Sequence, residues 1–595
     1  MTTSAATPAP AAGWFGHPAP LARLFGIEMW ERFGYYGMRA LLTLYLTKHV
    51  LLADRAASGL YGGYSALVYL TPLVGGLVAD QLLGAKRAVR FGAALMALGY
   101  GLLALGAATS GGQARAWLDF DGARHPITIA HHHDGPTDTG AEARQVLVAG
   151  HPLTIKGHAD GSIALVAADG QVARQLPAGA FAEGASQSPA MLALLLLALS
   201  TLAVGNGFFK PNISTMVGAL YAGTDSRRDA GFTIFYMGIN IGSILGQALC
   251  PLFADTIGWA AGFAVAGGGM ALAFAMVALA GDRLAGLGER PAQANPRRDR
   301  WVYLGAIATI GLFTLLYRNL MASPAPVAGA GLGGYLLALP VMGKLLIGTF
   351  LLGVPALLAW TWRQGSRAEF EMALAAMALV TFNIVFWTLF EQAGTSLTLF
   401  ADRNTDRSVF GLFELSAPQT QNFNPIAIVL LAPLMSALWG WLGRRGWEPS
   451  IPVKFGIALL GAGAGFLLLV LGGRFAGPHA QVGLAWLAGL YVIHSVAELC
   501  ISPVGLSMIT KLAIARVVGL MMGVWFLSIS VAQYAAGMVA QMASVATVGG
   551  EVMDPAQSLA TYLAVFTRIG GVAIALGLAL LALARPLGRL THGVR

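Results

Sequence analysis

The sequence predicts an all-α polytopic membrane protein that carries a small β-rich extracytoplasmic insert. Three observations carry this reading. Hydrophobic residues make up 56% of the 595-residue chain and charged residues only 11%, against about 25% charged in soluble domains. Apolar stretches longer than about 18 residues, enough to cross a bilayer as helix, recur along most of the chain. A single long polar interruption, about 109–187, breaks the series.

The elements follow in chain order. Residues 1–18 are rich in Ala, Pro and Thr and read as a disordered tail. Fourteen helices are expected at about 20–49, 57–84, 86–108, 188–220, 226–255, 258–280, 301–321, 335–362, 367–402, 418–443, 452–474, 480–512, 514–545 and 556–585. An even number leaves both termini on one side. The positive-inside rule then selects the cytoplasm, because one set of loops holds most of the Lys and Arg, among them Lys86, Arg87, Arg227, Arg228, Arg297, Arg298, Arg444 and Arg445. The 109–187 segment falls on the opposite side. Its Asp121-Gly122, Asp134-Gly135, Asp160-Gly161 and Asp169-Gly170 pairs separate short alternating runs, the pattern of β-hairpins. Residues 281–300 form a basic, Pro-containing cytoplasmic linker after six helices, and 586–595 a cytoplasmic tail.

Several function classes drop out. The net charge of +9 reads as loop topology and not as a nucleic-acid surface. Cys250 and Cys500 both lie in apolar segments and form neither a disulfide framework nor a zinc site. No cleavable signal peptide is visible. His131, His132 and His133 are consecutive, and on a strand they point to alternate faces, so one ion is poorly served and a solvated loop is the plainer reading. With no nucleophile–base pair, phosphate loop or metal spacing, no enzyme and no cofactor is expected.

The chemistry concentrates in the first helix. Glu28, Glu31, Arg32, Tyr35, Tyr36 and Arg39 fall at i, i+3, i+4, i+7, i+8 and i+11, one face of a helix. A charge at bilayer depth costs at least about 2.5–3.5 kcal/mol on insertion scales, so such groups face a cavity or one another. Glu28 and Glu31 lie one turn apart, with Arg32 beside them. Burial and like charge raise a carboxyl's proton affinity, and Arg32 lowers it, a balance suited to taking and releasing a proton. The alternative is a static ion-pair network that holds helices together.

Further ionisable residues sit in apolar helices. Lys210 lies in Gly-Phe-Phe-Lys-Pro-Asn, beside the helix-kinking Pro211. Glu391 lies in Phe-Trp-Thr-Leu-Phe-Glu-Gln, and Glu498 near the intrahelical Pro503. His494, one turn before Glu498, reads more readily as structural than as part of a proton relay. The first half of the chain therefore holds a net-positive set (Glu28, Glu31, Arg32, Arg39, Lys210) and the second an acidic one (Glu391, Glu498). Opposite charge in two halves suits a zwitterion.

Glu28-x-x-Glu31-Arg32-Phe33-Gly34-Tyr35-Tyr36 resembles the signature of the proton-dependent oligopeptide transporter family, within the major facilitator superfamily. Gly75-Gly-Leu-Val-Ala-Asp80-Gln-Leu-Leu-Gly84 resembles the family's helix 2–3 motif, and Phe232-Thr-Ile-Phe-Tyr-Met-Gly-Ile-Asn240-Ile-Gly242 its fifth-helix signature. The contexts of Lys210, Glu391, Asn424-Pro425, Glu498 and Trp525 fit as well. The ordered set covers nearly the whole chain apart from the tail and the 109–187 insert.

The resemblance implies a major facilitator fold with 12 core helices in two six-helix bundles, 19–280 and 363–585, and two extra helices within 301–362. It implies a symporter that imports di- and tripeptides with protons across the cytoplasmic membrane by alternating access. The expected partners are these peptides, protons and the lipid bilayer, with no nucleic acid, and the chain is expected to be a monomer. By position, Glu28, Glu31, Arg32 and Glu391 would couple the proton. Arg39 and Glu391 would form a gating salt bridge. Arg39, Tyr35, Tyr36, Tyr69, Lys210, Asn240, Asn424, Glu498 and Trp525 would bind substrate, with Lys210 toward the peptide carboxylate or the glutamates of the first helix, and Glu498 and Asn424 near the peptide amino group. For the aromatic residues, membrane packing is the alternative. The chain departs from mammalian members where Tyr61 is followed by Gly62 and not by a histidine, which places more weight on the glutamates. Rival readings are a proton-coupled transporter of another small anion or a drug, and a peptide sensor that moves nothing.

Overall fold

The computed structural model describes residues 12–109, 115–131, 142–158, 162–177, 179–221, 225–284, 286–323, 331–477, 479–512, 518–545, 547–548, 551–552 and 554–592. The long helices are α1 (Pro20–Leu44), α2 (Asp54–Val78), α3 (Ala85–Ala108), α4 (Pro189–Gly218), α5 (Arg228–Thr256), α6 (Trp259–Ala278) and α7 (Asp299–Ala322). A short α8 (Gly331–Ala338) is followed by α9 (Val341–Gln364), α10 (Arg367–Phe390) and a second short helix, α11 (Ser396–Arg403). Then come α12 (Phe423–Arg444), α13 (Ile451–Gly473), α14 (Leu484–Leu512), α15 (Val518–Met542) and α16 (Pro555–Leu590). Thirteen spans among the described residues are long and apolar enough to cross a membrane. α1 is not in that set: its stripe puts four charged residues, Glu28, Glu31, Arg32 and Arg39, within about three turns of one helix.

Local chemistry explains the boundaries. Ser366 and Glu369 form a reciprocal capping box at the start of α10, with N–H···O distances of 3.2 and 2.7 Å. The span expected over 335–362 is two helices, because Pro340 lacks the N–H that would continue α8. The span expected over 367–402 breaks at Glu391–Gly394, where a 3-10 turn leads into Thr395 with φ −128° and ψ −96°. α2 ends in a wide π turn, Ala79–Leu83. Gly84 follows with φ +79°, a conformation that favours glycine, and any side chain there would run into the backbone of Glu289.

Two tails depart from expectation. Residues 12–18 are not a disordered tail: Ala12–Trp14 (β1) and His17–Pro18 (β2) form a hairpin. Buried His17 fixes it, its Nδ1 lying 2.9 Å from the Tyr221 hydroxyl, and Arg227 donates to the Gly16 carbonyl at 3.1 Å. At the other end α16 runs through Pro586 to Leu590, past the expected start of the tail.

The insert is a β-domain, as the Asp-Gly pairs predict. Its strands are β3 (Arg115–Phe120), β4 (Ala123–His131), β5 (Glu142–Val148), β6 (His151–Gly157), β7 (Ile163–Val166), β8 (Val172–Leu176) and β9 (Ala182–Ser186), all antiparallel in the order β8-β7-β6-β5-β4-β3-β9. β8 and β9 are the two edges, yet they are consecutive in sequence. Flat, seven strands would separate those edges by about 29 Å, whereas the chain from Leu176 to Ala182 spans at most about 22 Å. The sheet must therefore curl toward a barrel, closing over Leu118, Phe120, Val146, Leu153, Ile163, Leu165 and Leu176. Asp121-Gly122 turns β3 into β4 with both φ positive, the signature of a type I′ turn. His132, His133, Asp134-Gly135 and Asp160-Gly161 lie outside the described residues.

The chain divides into two compact units. The first is Met1–Met38, Leu70–Leu105 and Leu197–Phe313, and the second Arg39–Tyr69, Gly106–Leu196 and Thr314–Arg595. The division does not follow the expected break at 281–300; it cuts across α1 and α2. Within the first unit, helices meet through small residues: Gly75 on α2 faces the Gly207 backbone on α4, and Gly246 on α5 faces the backbone of Phe33 and Gly37 on α1. Within the second unit, the end of α1 and the start of α2 are fixed to the C-terminal helices. Gly62 packs on Gly537 of α15, and the Ser530 hydroxyl donates to the Ala66 carbonyl at 2.7 Å.

Candidate functional site

In the first unit the stripe on α1 folds into a compact charge cluster. Glu28, Glu31 and Arg32 are all buried. Arg32 Nε lies 3.2 Å from Glu28 Oε1 and also donates to Glu31 Oε2, so one guanidinium serves two carboxylates. Lys210 on α4 lies within electrostatic reach of both glutamates. Two cations thus face two anions inside apolar helices, which a membrane interior tolerates because the net charge is small. Arg32 Cζ stands 5.1 Å from the Tyr35 ring centroid, and Tyr35 meets Tyr36 edge-on at 5.2 Å. Asn240 on α5 donates to the Tyr236 carbonyl of its own helix at 3.1 Å.

Arg39 continues the stripe in sequence but belongs to the second unit. There it forms a buried ion pair with Glu391, two residues that the family resemblance places together. Two contacts that the sequence does not announce fix it. Arg39 Nε donates to the Tyr61 hydroxyl at 2.6 Å, and the Thr43 hydroxyl donates to the Gly394 carbonyl at 2.5 Å. The break between α10 and α11 is what exposes that carbonyl. Gln392 secures the same turn to α15 by donating to the Ala536 carbonyl at 3.1 Å.

The ion-pairing extends along α11. Arg403 grips Asp54 with two bonds of 2.6 and 2.8 Å, both side chains buried, and Asp54 also accepts from the Val545 N–H at 3.2 Å. Lys48 reaches Asp402 at 2.8 Å. As residues, Lys48 and Arg403 look like loop cations that only set topology. Their partners lie about 350 positions away, and no local pattern announces them.

Elsewhere in the second unit Asn424 Nδ2 lies 3.2 Å from Glu498 Oε2 and 3.0 Å from Ser495 Oγ, so Asn424 and Glu498 form one polar set on α12 and α14. Ser495 is absent from the sequence-predicted set, although its position one turn before Glu498 puts it on the same face. Trp525 is buried on α15 and packs over Gly505 of α14. Tyr69, half-buried near the middle of α2, belongs to the same unit. The His494 Nε2 donates to the Ala462 carbonyl at 3.0 Å, and its ring meets those of Phe466 and Phe390.

These sets hold ionisable groups in pairs that a proton can break, and they present both signs of charge. Comparison with known proteins points the same way. Dipeptide and tripeptide permease A of Edwardsiella piscicida is 29% identical over 584 residues, covering 97% of this chain and 96% of that one. The permease of the same name from Escherichia coli (strain K12) is 27% identical over 580 residues, covering 97% and 94%. A crystal structure of peptide transporter POT in complex with sulfate superposes with a TM-score of 0.70 at 28% identity, covering 98% of this chain and 97% of that one. The tetrameric PepTSo2, 24% identical with a TM-score of 0.69 and covering 96% and 98%, shares the fold. The profile of the POT family matches residues 86–285 and 353–555. The chain, a multi-pass membrane protein with a major facilitator fold, belongs to the POT family.

Proposed function

We propose that this protein imports di- and tripeptides together with protons across the bacterial inner membrane by alternating access. The observation that carries the reading is the buried Arg39–Glu391 pair, sealed by Tyr61 and by the Thr43 bond to Gly394. A proton on Glu391 removes the anion that holds Arg39, and the contacts between α1 and the α10–α11 break then lose their anchor. Breaking a buried pair by removing one partner costs about 3–5 kcal/mol, enough to shift a two-state equilibrium by about two to nearly four orders of magnitude. Glu28, Glu31 and Arg32 supply the second proton-sensitive cluster.

Substrate recognition follows from charge. Lys210 and Arg32 suit a peptide carboxylate, and Glu498 with Asn424 suits its ammonium group. Arg39, Tyr35, Tyr36, Tyr69, Asn240 and Trp525 complete the proposed substrate set. The proton is the coupling ion and no other cofactor is required. The chain works as a permease and not as an enzyme, and one copy carries every group named. Both termini face the cytoplasm and the insert faces outward, following the distribution of basic loops.

The test is uptake of a labelled dipeptide into liposomes under an imposed pH gradient, recorded with proton influx. Peptide-dependent, electrogenic proton influx is expected. Binding without influx would make the protein a sensor, and influx with another small anion or a drug but with no peptide would make it a different transporter.

A further inference from the structure

The hydroxyl of Tyr100 is a buried hydrogen-bond donor that none of the roles above uses. Tyr100 lies on α3 and is fully buried. Its ring edge stands against Gly34 on α1: a Cβ at Gly34 would lie 3.3 Å from Tyr100 Cε2 and 3.6 Å from its Cζ, the carbon that carries the hydroxyl. Gly34 is three residues beyond Glu31, on the same helical face. The hydroxyl is thus delivered to the charged stretch of α1, and it interacts electrostatically with Glu31, Arg32, Tyr35 and Cys250.

Four polar atoms in this cluster are buried and have no hydrogen-bond partner among the described residues: Tyr100 Oη, Glu31 Oε1, Glu28 Oε2 and Arg32 Nη2. The set is complementary, with donors on Tyr100 and Arg32 and acceptors on the two glutamates. A buried polar group without a partner is costly, and a cluster of such donors and acceptors is where an ordered water makes its two to four bonds. We propose that Tyr100 is a positioning residue of the coupling site, its hydroxyl donating across one buried water to the Glu31 oxygen that Arg32 leaves open. The groups that face this point are Glu28, Arg32, Tyr35 and Tyr36 from α1, Lys210 from α4 and Cys250 from α5.

The inference rests on Glu31 as a coupling group. A donor aimed at a carboxylate favours its charged form, so Tyr100 helps Glu31 give up its proton. Tyr100→Phe removes the donor and keeps the ring. The midpoint of the pH dependence of proton-driven dipeptide uptake is expected to move up by about 0.5–1 pH unit, while proton-independent counterflow is retained. Tyr317→Phe is the control, because it deletes another fully buried hydroxyl without a partner among the described residues, on α7 in the other unit. It is expected to leave the midpoint in place. If the phenylalanine variant inserts poorly, 3-fluorotyrosine at position 100 gives a more acidic donor and a downward shift. An unmoved midpoint in the Tyr100 variants, or the same shift in Tyr317→Phe, overturns the proposal. Glu31→Gln separates the two claims: if it keeps normal proton-driven uptake, the coupling assignment itself fails, and if it abolishes uptake while Tyr100→Phe shifts nothing, only the role of Tyr100 fails.

Discussion

Arg32 serves two carboxylates with one guanidinium, so neither glutamate can be neutralised without changing the other's field. Glu28→Gln and Glu31→Gln are each expected to abolish proton-driven uptake while leaving peptide counterflow measurable in liposomes; normal pH-driven uptake in both would remove the cluster from the coupling path. Glu391→Gln acts differently. It leaves Arg39 buried against a neutral amide, so the closed contacts of the second unit weaken by about 3–5 kcal/mol. The readout is accessibility of a cysteine placed at Thr43, which rises in Glu391→Gln and not in the parent. Much of this chemistry is legible in the residues themselves, because an acid or base inside an apolar helix is conspicuous. Glu28, Glu31, Arg32, Lys210, Glu391 and Glu498 announce themselves in that way. Tyr61, Thr43, Ser495 and Asp54 do not: hydroxyls and a single acid at a helix start are common, and only long-range packing reveals what they hold.

At the scale of elements, spacing predicts existence better than continuity. The 3-10 turn at Glu391–Gly394 is invisible to hydropathy, because the residues on both sides stay apolar, yet it frees the Gly394 carbonyl for Thr43. The insert shows the converse. Asp121-Gly122 marks its turn by sequence alone, whereas the turn at Ala149-Gly150, which carries positive φ at both residues without an Asp, does not. The curled closure follows from topology that only pairing supplies. That topology also predicts how removable the insert is. Arg115 pairs with Ser186, so the entering and leaving strands lie side by side. Replacing 113–186 by a short Gly/Ser linker is therefore expected to give a folded protein with dipeptide uptake near that of the parent, measured in the same liposome assay. In the intact chain, Leu165→Ala in the insert core should cost about 2–5 kcal/mol of the insert's stability, seen as faster proteolysis within 115–186.

For the molecule as a whole, the second unit is the informative one, because α1 and α2 reach the C-terminal helices inside it. Arg39–Glu391, Lys48–Asp402 and Asp54–Arg403 form a row of ion pairs from the body of α1 to the start of α2, all received by the α10–α11 region. Alternating access requires that this row open once per cycle, since each of its bonds joins the first and second halves of the chain. Fixing it must then stop transport without unfolding the protein. Lys48→Cys combined with Asp402→Cys places a thiol on each side of a contact that now closes at 2.8 Å, with a gap left by the shortened lysine for a linker to span. The native Cys250 and Cys500 are buried and leave the new pair as the accessible thiols among the described residues. A short cleavable dithiol-reactive linker across the pair is expected to block both proton-driven uptake and counterflow, and cleavage of the linker to restore both to the level of the unlinked double variant. Loss of counterflow is the decisive part. Exchange needs no net proton movement, so a block there reports a halted conformational cycle and not a lost proton site. Counterflow that persisted with the linker in place would mean that these contacts stay closed throughout transport, and the gate would have to lie elsewhere.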